Sequence, residues 1–297
     1  MTFPYLTHAQ APLTSEIEAV NEFGELQKVS IPAERALTVY VDKRELVTLM
    51  TLGANPELLV LGYLRNQRLL REVADIESIT VDWEVGAAAV KTRHGIEDIE
   101  AKTAHRVVTT GCGQGSVFGG LMDEVDSITL PAGAFITQSQ LYGLVNTIRL
   151  KETTYKSAGS VHACALFSTV SGEAEMLLFV EDVGRHNAID TIAGWMWMNM
   201  APVLVAPDAA ASLDSSASGL VFYTTGRLTS EMVIKSAQMG VPVVVSRSGI
   251  TQMGHQVAQS VGLCAIGRAT HKRFLCYTHP QRLKLQPGLV TALSSGV

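Results

Sequence analysis

With 297 residues, 47% hydrophobic and 17% charged, the chain can build one large or two modest domains around an apolar core, and it is not a disordered segment. A net charge of −5 lacks the basic footprint of a general nucleic-acid binder. The four cysteines, at 112, 164, 264 and 276, form no CxxC pair and no zinc-finger spacing, a usage that suits a reducing, cytoplasmic setting.

The opening Met1-Thr-Phe-Pro-Tyr5 has neither the basic nor the apolar region of a secretory leader. Leu37–Val41 alternates as a strand. Asn55-Pro56 then starts a helix running to about Arg65, with Asn at the cap and Pro at the first helical position. Leu58, Leu59, Leu61, Gly62 and Leu64 supply its buried face. Strands near 76–83 and 87–92 pair as a hairpin around Gly86. A β-branched run, Val107–Thr110, leads into Gly111-Cys-Gly-Gln-Gly-Ser116, where glycines leave the backbone around Cys112 unconfined and open to close approach. Such a setting suits a reactive thiol, and an ordinary surface loop is the alternative.

Beyond about residue 130, strands and helices alternate. Helices are predicted at 137–150, 186–198, 230–239 and 252–261, and strands at 161–168, 176–180, 220–224, 241–245 and 263–267. That order predicts an α/β domain with at least three parallel strands. The division expected is a small N-terminal mixed domain over 1–128, ending in the Cys112 loop, and an α/β domain over 129–297, so that the whole is α+β. Pro202, Pro207 and Asn199 interrupt the most apolar stretch, 192–207, which is too short for a membrane span. The run Trp195-Met-Trp-Met-Asn-Met200 reads as a helix face buried between the sheet and a second subunit, as in a homodimer, or else as a docking face for an enzyme partner, and the sequence does not decide the oligomeric state. Cys164, Cys264 and Cys276 fall on predicted strands and read as core residues.

Three polar clusters follow strands and open helices: Glu181-Asp-Val-Gly-Arg-His-Asn-Ala-Ile-Asp190, Thr224-Thr-Gly-Arg-Leu-Thr-Ser-Glu231 and Ser246-Arg-Ser-Gly-Ile-Thr251. Helix N-termini present free N–H groups and a positive dipole end. With Gly226, Arg227, Arg247 and nearby hydroxyls, these segments suit phosphate. A plain helix cap, or a structural Asp182–Arg185 ion pair, is the bland reading.

Cys112-Gly113, Ser160-Val-His-Ala163, Glu181–Ala188, Thr225-Gly-Arg-Leu-Thr-Ser-Glu-Met232, Pro242–Ser248 and Tyr277-Thr-His-Pro280 occur in the order found in the formate dehydrogenase accessory sulfurtransferase (FdhD) family, which the chain resembles from about Thr38 to Leu283. The resemblance implies a C-terminal cytidine-deaminase-like α/β domain and a cytoplasmic sulfur carrier. Such a carrier takes sulfur from a cysteine desulfurase as a Cys112 persulfide. It passes the sulfur to the bis-molybdopterin guanine dinucleotide form of the molybdenum cofactor, the cargo, on its way to the formate dehydrogenase catalytic subunit. The cargo's guanine nucleotide moiety would meet Arg185, His186, Gly226, Arg227, Ser246, Arg247, Ser248, Phe274, Tyr277 and His279. Phe274 or Tyr277 would stack on guanine and His279 would meet a phosphate; core packing of Phe274 and an edge position for Tyr277 are the alternative. No resident metal, nucleic acid or membrane is expected.

A thiol with pKa about 8.5 is only partly ionised at neutral pH, so Cys112 needs positive charge nearby, for which His105, Arg106 and His186 are candidates. The family loop usually reads Cys-Gly-x-Cys-Gly, and here Gly115 stands at the second cysteine. A single cysteine can accept a persulfide but cannot release sulfur by forming a local disulfide. The alternative function is therefore a cofactor-binding chaperone without sulfur transfer. A zinc deaminase is rejected: His162-Ala-Cys164 lacks the glutamate, and the chain has no Pro-Cys.

Overall fold

The computed structural model describes residues 3–99, 107–108, 115–116, 125, 128–151, 154–200 and 219–289. The chain divides into two units, and it passes between them several times. Residues 1–119, 152–163 and 180–201 form the first, and residues 120–151, 164–179 and 202–297 the second.

The first unit is built on a five-stranded sheet of order β1-β6-β7-β4-β5, comprising β1 (Tyr5–Leu6), β4 (Arg35–Val41), β5 (Arg44–Thr51), β6 (Ile76–Asp82) and β7 (Ala87–Thr92). Strict alternation along β4 turns Leu37, Val39 and Val41 inward. The expected hairpin of β6 and β7 is present as an antiparallel pair, and Gly86 takes positive φ in its turn. A separate two-stranded ribbon, β2 (Thr14–Val20) with β3 (Leu26–Pro32), precedes β4.

Helix α1 (Pro56–Asn66) begins where Asn55-Pro56 predicts, although the Asn55 side chain makes no cap bond. Leu59, Leu61 and Leu64 join the core with Leu37, Val39 and Ile79. Burying each such side chain stabilises the unit by roughly 1.5–3 kcal/mol. Further on, α2 (Gln138–Lys151) lies in the second unit and the single turn α3 (Thr154–Ala158) in the first.

Helix α4 (Arg185–Asn199) packs against α1 in the first unit at van der Waals limits. A Cβ on Gly62 would lie 1.6 Å from the Asp190 carbonyl oxygen, and one on Gly194 would lie 2.0 Å from the Leu58 carbonyl oxygen. Only glycine at both positions permits this crossing. Residues 152–163 and 180–201 cluster with the N-terminal part and not with the rest of 129–297, the domain their strand–helix alternation predicts for them. The Trp195–Met200 stretch likewise needs no second subunit to cover it: Met196 is buried and Trp197 belongs to the first unit's own core.

The second unit centres on a six-stranded sheet of order β12-β11-β13-β14-β15-β16. Its strands are β11 (His162–Ser168), β12 (Glu175–Asp182), β13 (Leu220–Thr224), β14 (Val243–Ser246), β15 (Cys264–Thr270) and β16 (Arg273–Cys276). β13, β14 and β15 run parallel, as the strand–helix alternation predicts, and the connecting helices are α5 (Ser230–Gln238) and α6 (Gln252–Ser260). β11 and β16 add antiparallel to either side of this trio. Both ends of the unit are held by β10 (Ile136–Thr137), which pairs with β17 (Leu283–Lys284), and by Arg282, whose guanidinium donates to the carbonyls of Gly262, Pro131 and Ala134. Mixed sheets with helices make the whole an α+β protein.

Candidate functional site

The polar segments at the carboxyl ends of β13 and β14 form one stitched surface in the second unit. Thr224 ends β13, and its buried hydroxyl accepts the Gly226 N–H at 3.1 Å and the Cys164 thiol at 3.3 Å. Ser246 ends β14, donates to the Gly226 carbonyl at 2.6 Å and accepts the Ser248 N–H at 2.9 Å. The Arg247 N–H donates to the Thr224 carbonyl at 3.0 Å, the Leu228 N–H to the Gly249 carbonyl at 2.9 Å, and the Thr251 N–H back to the Leu228 carbonyl at 3.0 Å. These bonds hold 225–229 and 247–251 side by side, each opening onto a helix. Thr251 caps α6 through the Gly254 N–H, whereas Thr229 at the start of α5 makes no side-chain cap bond. Arg227 is exposed, and Arg247 and Ser248 are half-buried.

Tyr277 lies against this surface. A Cβ on Gly267 would fall 2.6 Å from the Tyr277 ring and 2.9 Å from the Ser248 carbonyl oxygen, so Gly267 makes room for both. The Tyr277 N–H pairs with the Ala265 carbonyl at 2.8 Å. Gly226, Arg227, Ser246, Arg247, Ser248 and Tyr277 are therefore brought together. Two adjacent helix starts, two arginines and an aromatic ring make an arrangement suited to a phosphorylated aromatic ligand.

Phe274 and His279 are employed differently. Phe274 packs against the second unit's core with its ring 6.2 Å from that of Tyr142, which favours the core reading over guanine stacking. His279 adopts a left-handed backbone; its Nε2 lies 3.0 Å from the Gln259 carbonyl oxygen and its Nδ1 3.1 Å from Gln281 Nε2. With Gln281 donating to Nδ1, the Nε2–H donates to Gln259, and both ring nitrogens serve the local fold.

Arg185 and His186 lie in the first unit, both buried, at the start of α4. Their neighbours show that much of the 181–190 motif is scaffolding. Glu181 accepts the N–H groups of Thr154 and Tyr155 at 2.8 and 3.1 Å. Asp182 accepts from the Thr51 hydroxyl at 2.5 Å, the Leu52 N–H at 3.1 Å, the Gly184 N–H at 3.0 Å and Asn187 Nδ2 at 2.7 Å. Burial pushes the Asp182 carboxyl above the ordinary carboxylate range, and these four donors pull the other way. Asn66 on α1 donates to Asp190 at 2.7 Å. A motif of carboxylates and amides gives no sequence signal that Asp182 will find Thr51, 131 residues away, or that Asp190 will find Asn66, 124 residues away.

Cys112 falls in sequence between two short strands, β8 (Val107–Val108) and β9 (Gly115–Ser116), which pair antiparallel. Cys112, with His105 and Arg106, lies outside the described residues. Among the described residues, no three metal-ligating side chains gather, and no helix is long and apolar enough to cross a membrane.

Comparison with known proteins places this architecture in a family. Residues 32–284 match the model of the FdhD/NarQ family. The sulfur carrier protein FdhD of Bacillus subtilis is 30% identical over 89% of this chain and 94% of its own length. That of Bacillus licheniformis is 30% identical over 88% of this chain and 93% of its own. In the crystal structure of a protein described as a formate dehydrogenase accessory protein from Desulfotalea psychrophila, the same fold recurs with a TM-score of 0.67 at 21% identity, covering 92% of this chain and all of that one. The extent of the family match and of the relatives' alignment establishes that this chain belongs to the FdhD/NarQ family.

Proposed function

We propose that this chain is a cytoplasmic sulfur carrier acting in the maturation of a formate dehydrogenase, with Cys112 as the sulfur-bearing residue. Family membership and the names of the relatives support the carrier role. The observation that carries the cargo half is the stitched pair of loops after β13 and β14, which sets two helix starts, Arg227, Arg247 and Tyr277 on one surface. A guanine dinucleotide offers the complementary chemistry: phosphates for the helix starts and arginines, and a planar base for Tyr277. The cargo is the bis-molybdopterin guanine dinucleotide form of the molybdenum cofactor.

The chemistry of acceptance needs one sulfur nucleophile. The Cys112 thiolate attacks the terminal sulfur of a persulfide on a cysteine desulfurase. A new Cys112 S–S bond forms, the donor's S–S bond breaks, and the donor cysteine leaves as thiolate. On delivery the Cys112 S–S bond would break with Cys112 leaving as thiolate, and the outer sulfur would go to the cargo's metal centre, which in its reduced state would supply the two electrons that make it a sulfide. Gly111 and Gly113 flank Cys112 with no side chain to bar a second protein's persulfide.

Gly115, at the family's second cysteine, supports a second reading, a chaperone that holds the cofactor without moving sulfur. Formate dehydrogenase activity in cells lacking their own carrier separates the two. Rescue by wild type and not by Cys112→Ser supports the carrier, and equal rescue by both supports the chaperone.

A further inference from the structure

Two thiols outside the proposed site face one another in the second unit. Cys264 opens β15 and Cys276 closes β16, with their sulfurs 3.8 Å apart. Ile266 opposes Cys276 across the antiparallel ladder, so Cys264, two residues back, projects from the same face, and both cysteines belong to the same core cluster. The pair is asymmetric. Cys264 is fully buried, whereas Cys276 is half-buried and keeps contact with solvent. Backbone bonds on both sides, Ile266 opposite Cys276 and the Tyr277 N–H to the Ala265 carbonyl, hold the strands in register. The 3.8 Å between the sulfurs has to close to about 2 Å in a disulfide.

We propose that Cys264 and Cys276 form a peroxide-responsive dithiol, a modification site in which Cys276 is oxidised first and Cys264 resolves it to a disulfide. Cys276 attacks hydrogen peroxide: its S–H and the peroxide O–O bond break to give Cys276–S–OH and water. The Cys264 sulfur then attacks the Cys276 sulfur. The S–S bond forms, the S–OH bond breaks, and the Cys264 proton leaves with the hydroxyl as a second water. Two thiols lose two electrons and one hydrogen peroxide gains them.

The surroundings suit this order. The hydrogen bond shared with Cys264 favours the Cys276 thiolate and lowers its pKa. The same bond, burial and the negative charge of Cys276 keep Cys264 protonated, while the nearby Arg282 guanidinium works in the opposite sense. Once Cys276 is a neutral sulfenic acid, its charge and its demand on the Cys264 proton are gone, and the Arg282 charge favours the resolving thiolate. The disulfide would fasten β16 to β15 next to Tyr277, and the chemistry holds whether or not Cys112 carries sulfur.

The test treats the full-length reduced chain with hydrogen peroxide, removes the excess with catalase, alkylates the remaining thiols and maps the tryptic peptides. The expected product is a Cys264–Cys276 linked peptide that dithiothreitol separates, with the intact mass lower by two hydrogens. In Cys264→Ser, Cys276 should instead be captured by dimedone as the sulfenic acid. The wild-type map decides the question by itself if that variant does not fold. Recovery of Cys276 as a free thiol, as a sulfinic acid, or linked only to Cys112 would overturn the assignment.

Discussion

The Thr51 hydroxyl and the Asp182 carboxylate, 131 residues apart in the chain, meet at 2.5 Å in the buried interior of the first unit. Asp182 also receives the Leu52 and Gly184 N–H groups and the Asn187 amide, so one carboxylate joins the end of β5 to the turn that starts α4. Replacing it with alanine strands four donors. Asp182→Ala should destabilise the protein by about 2–4 kcal/mol, read from denaturant unfolding.

The same residue predicts a pH dependence. Burial raises the Asp182 carboxyl in the folded state, so the folded chain holds that proton more tightly than the unfolded one. Its contribution to stability is greatest below the ordinary carboxylate range, about pH 4, and is lost as pH rises through the raised value. Asp182→Asn cannot ionise. The stability of wild type relative to Asp182→Asn should therefore fall as pH rises from about 4 towards 7; a difference that grows with pH would contradict the assignment.

Gly62 and Gly194 set the spacing of α1 and α4, because a methyl group on either would overlap backbone of the other helix. Gly62→Ala and Gly194→Ala should each cost about 3 kcal/mol despite alanine's better helix propensity. Urea melts of the two variants check this, and a neutral or stabilising outcome would mean that the helices can separate freely.

Much of this architecture can be read from local pattern. Pro56 marks the start of α1, the alternation in Leu37–Val41 marks β4, and the apolar runs at 220–224 and 241–245 mark two of the three parallel strands. Long-range commitments are another matter. Gly62 looks like one more position on a buried helix face until Gly194 is placed against it. Phe274 and Tyr277 are equally aromatic in sequence, yet the first fills the core and the second lies over Gly267 beside the Ser248 carbonyl. His279 is taken up by the Gln259 carbonyl, 20 residues back and beyond both β15 and β16, a pairing no periodicity records. The α4 segment follows a strand of the second unit's sheet and packs in the first unit. The reason is its complementarity to α1, which no local window contains.

Ser246 tests the proposed cargo surface. Its hydroxyl ties the Gly226 carbonyl to the Ser248 N–H. Ser246→Ala should release both loops, lowering stability by about 1–2 kcal/mol. If the surface holds a guanine nucleotide, GDP affinity measured by calorimetry should fall on the order of tenfold, the equivalent of about one such bond. Arg227→Ala, at an exposed side chain, should weaken GDP while leaving the melting temperature unchanged. Unaltered GDP affinity in both variants would remove this surface from the account.

Cys276 should titrate below an ordinary thiol, because the hydrogen bond it shares with Cys264 favours its thiolate. Peptide-resolved alkylation with iodoacetamide as a function of pH should show its inflection below about 8.5. In Cys264→Ala that inflection should move upward, since that bond is gone while part of the burial remains. An inflection at or above the ordinary value in wild type would show that the bond does not favour the thiolate.

The most direct test of sulfur carriage is intact-protein mass spectrometry after incubation with a cysteine desulfurase and free cysteine, on wild type and Cys112→Ser. The account predicts a gain of one sulfur in wild type, lost on reduction and absent from Cys112→Ser. No gain in wild type while GDP still binds would contradict it, leaving a protein that holds the cofactor without moving sulfur.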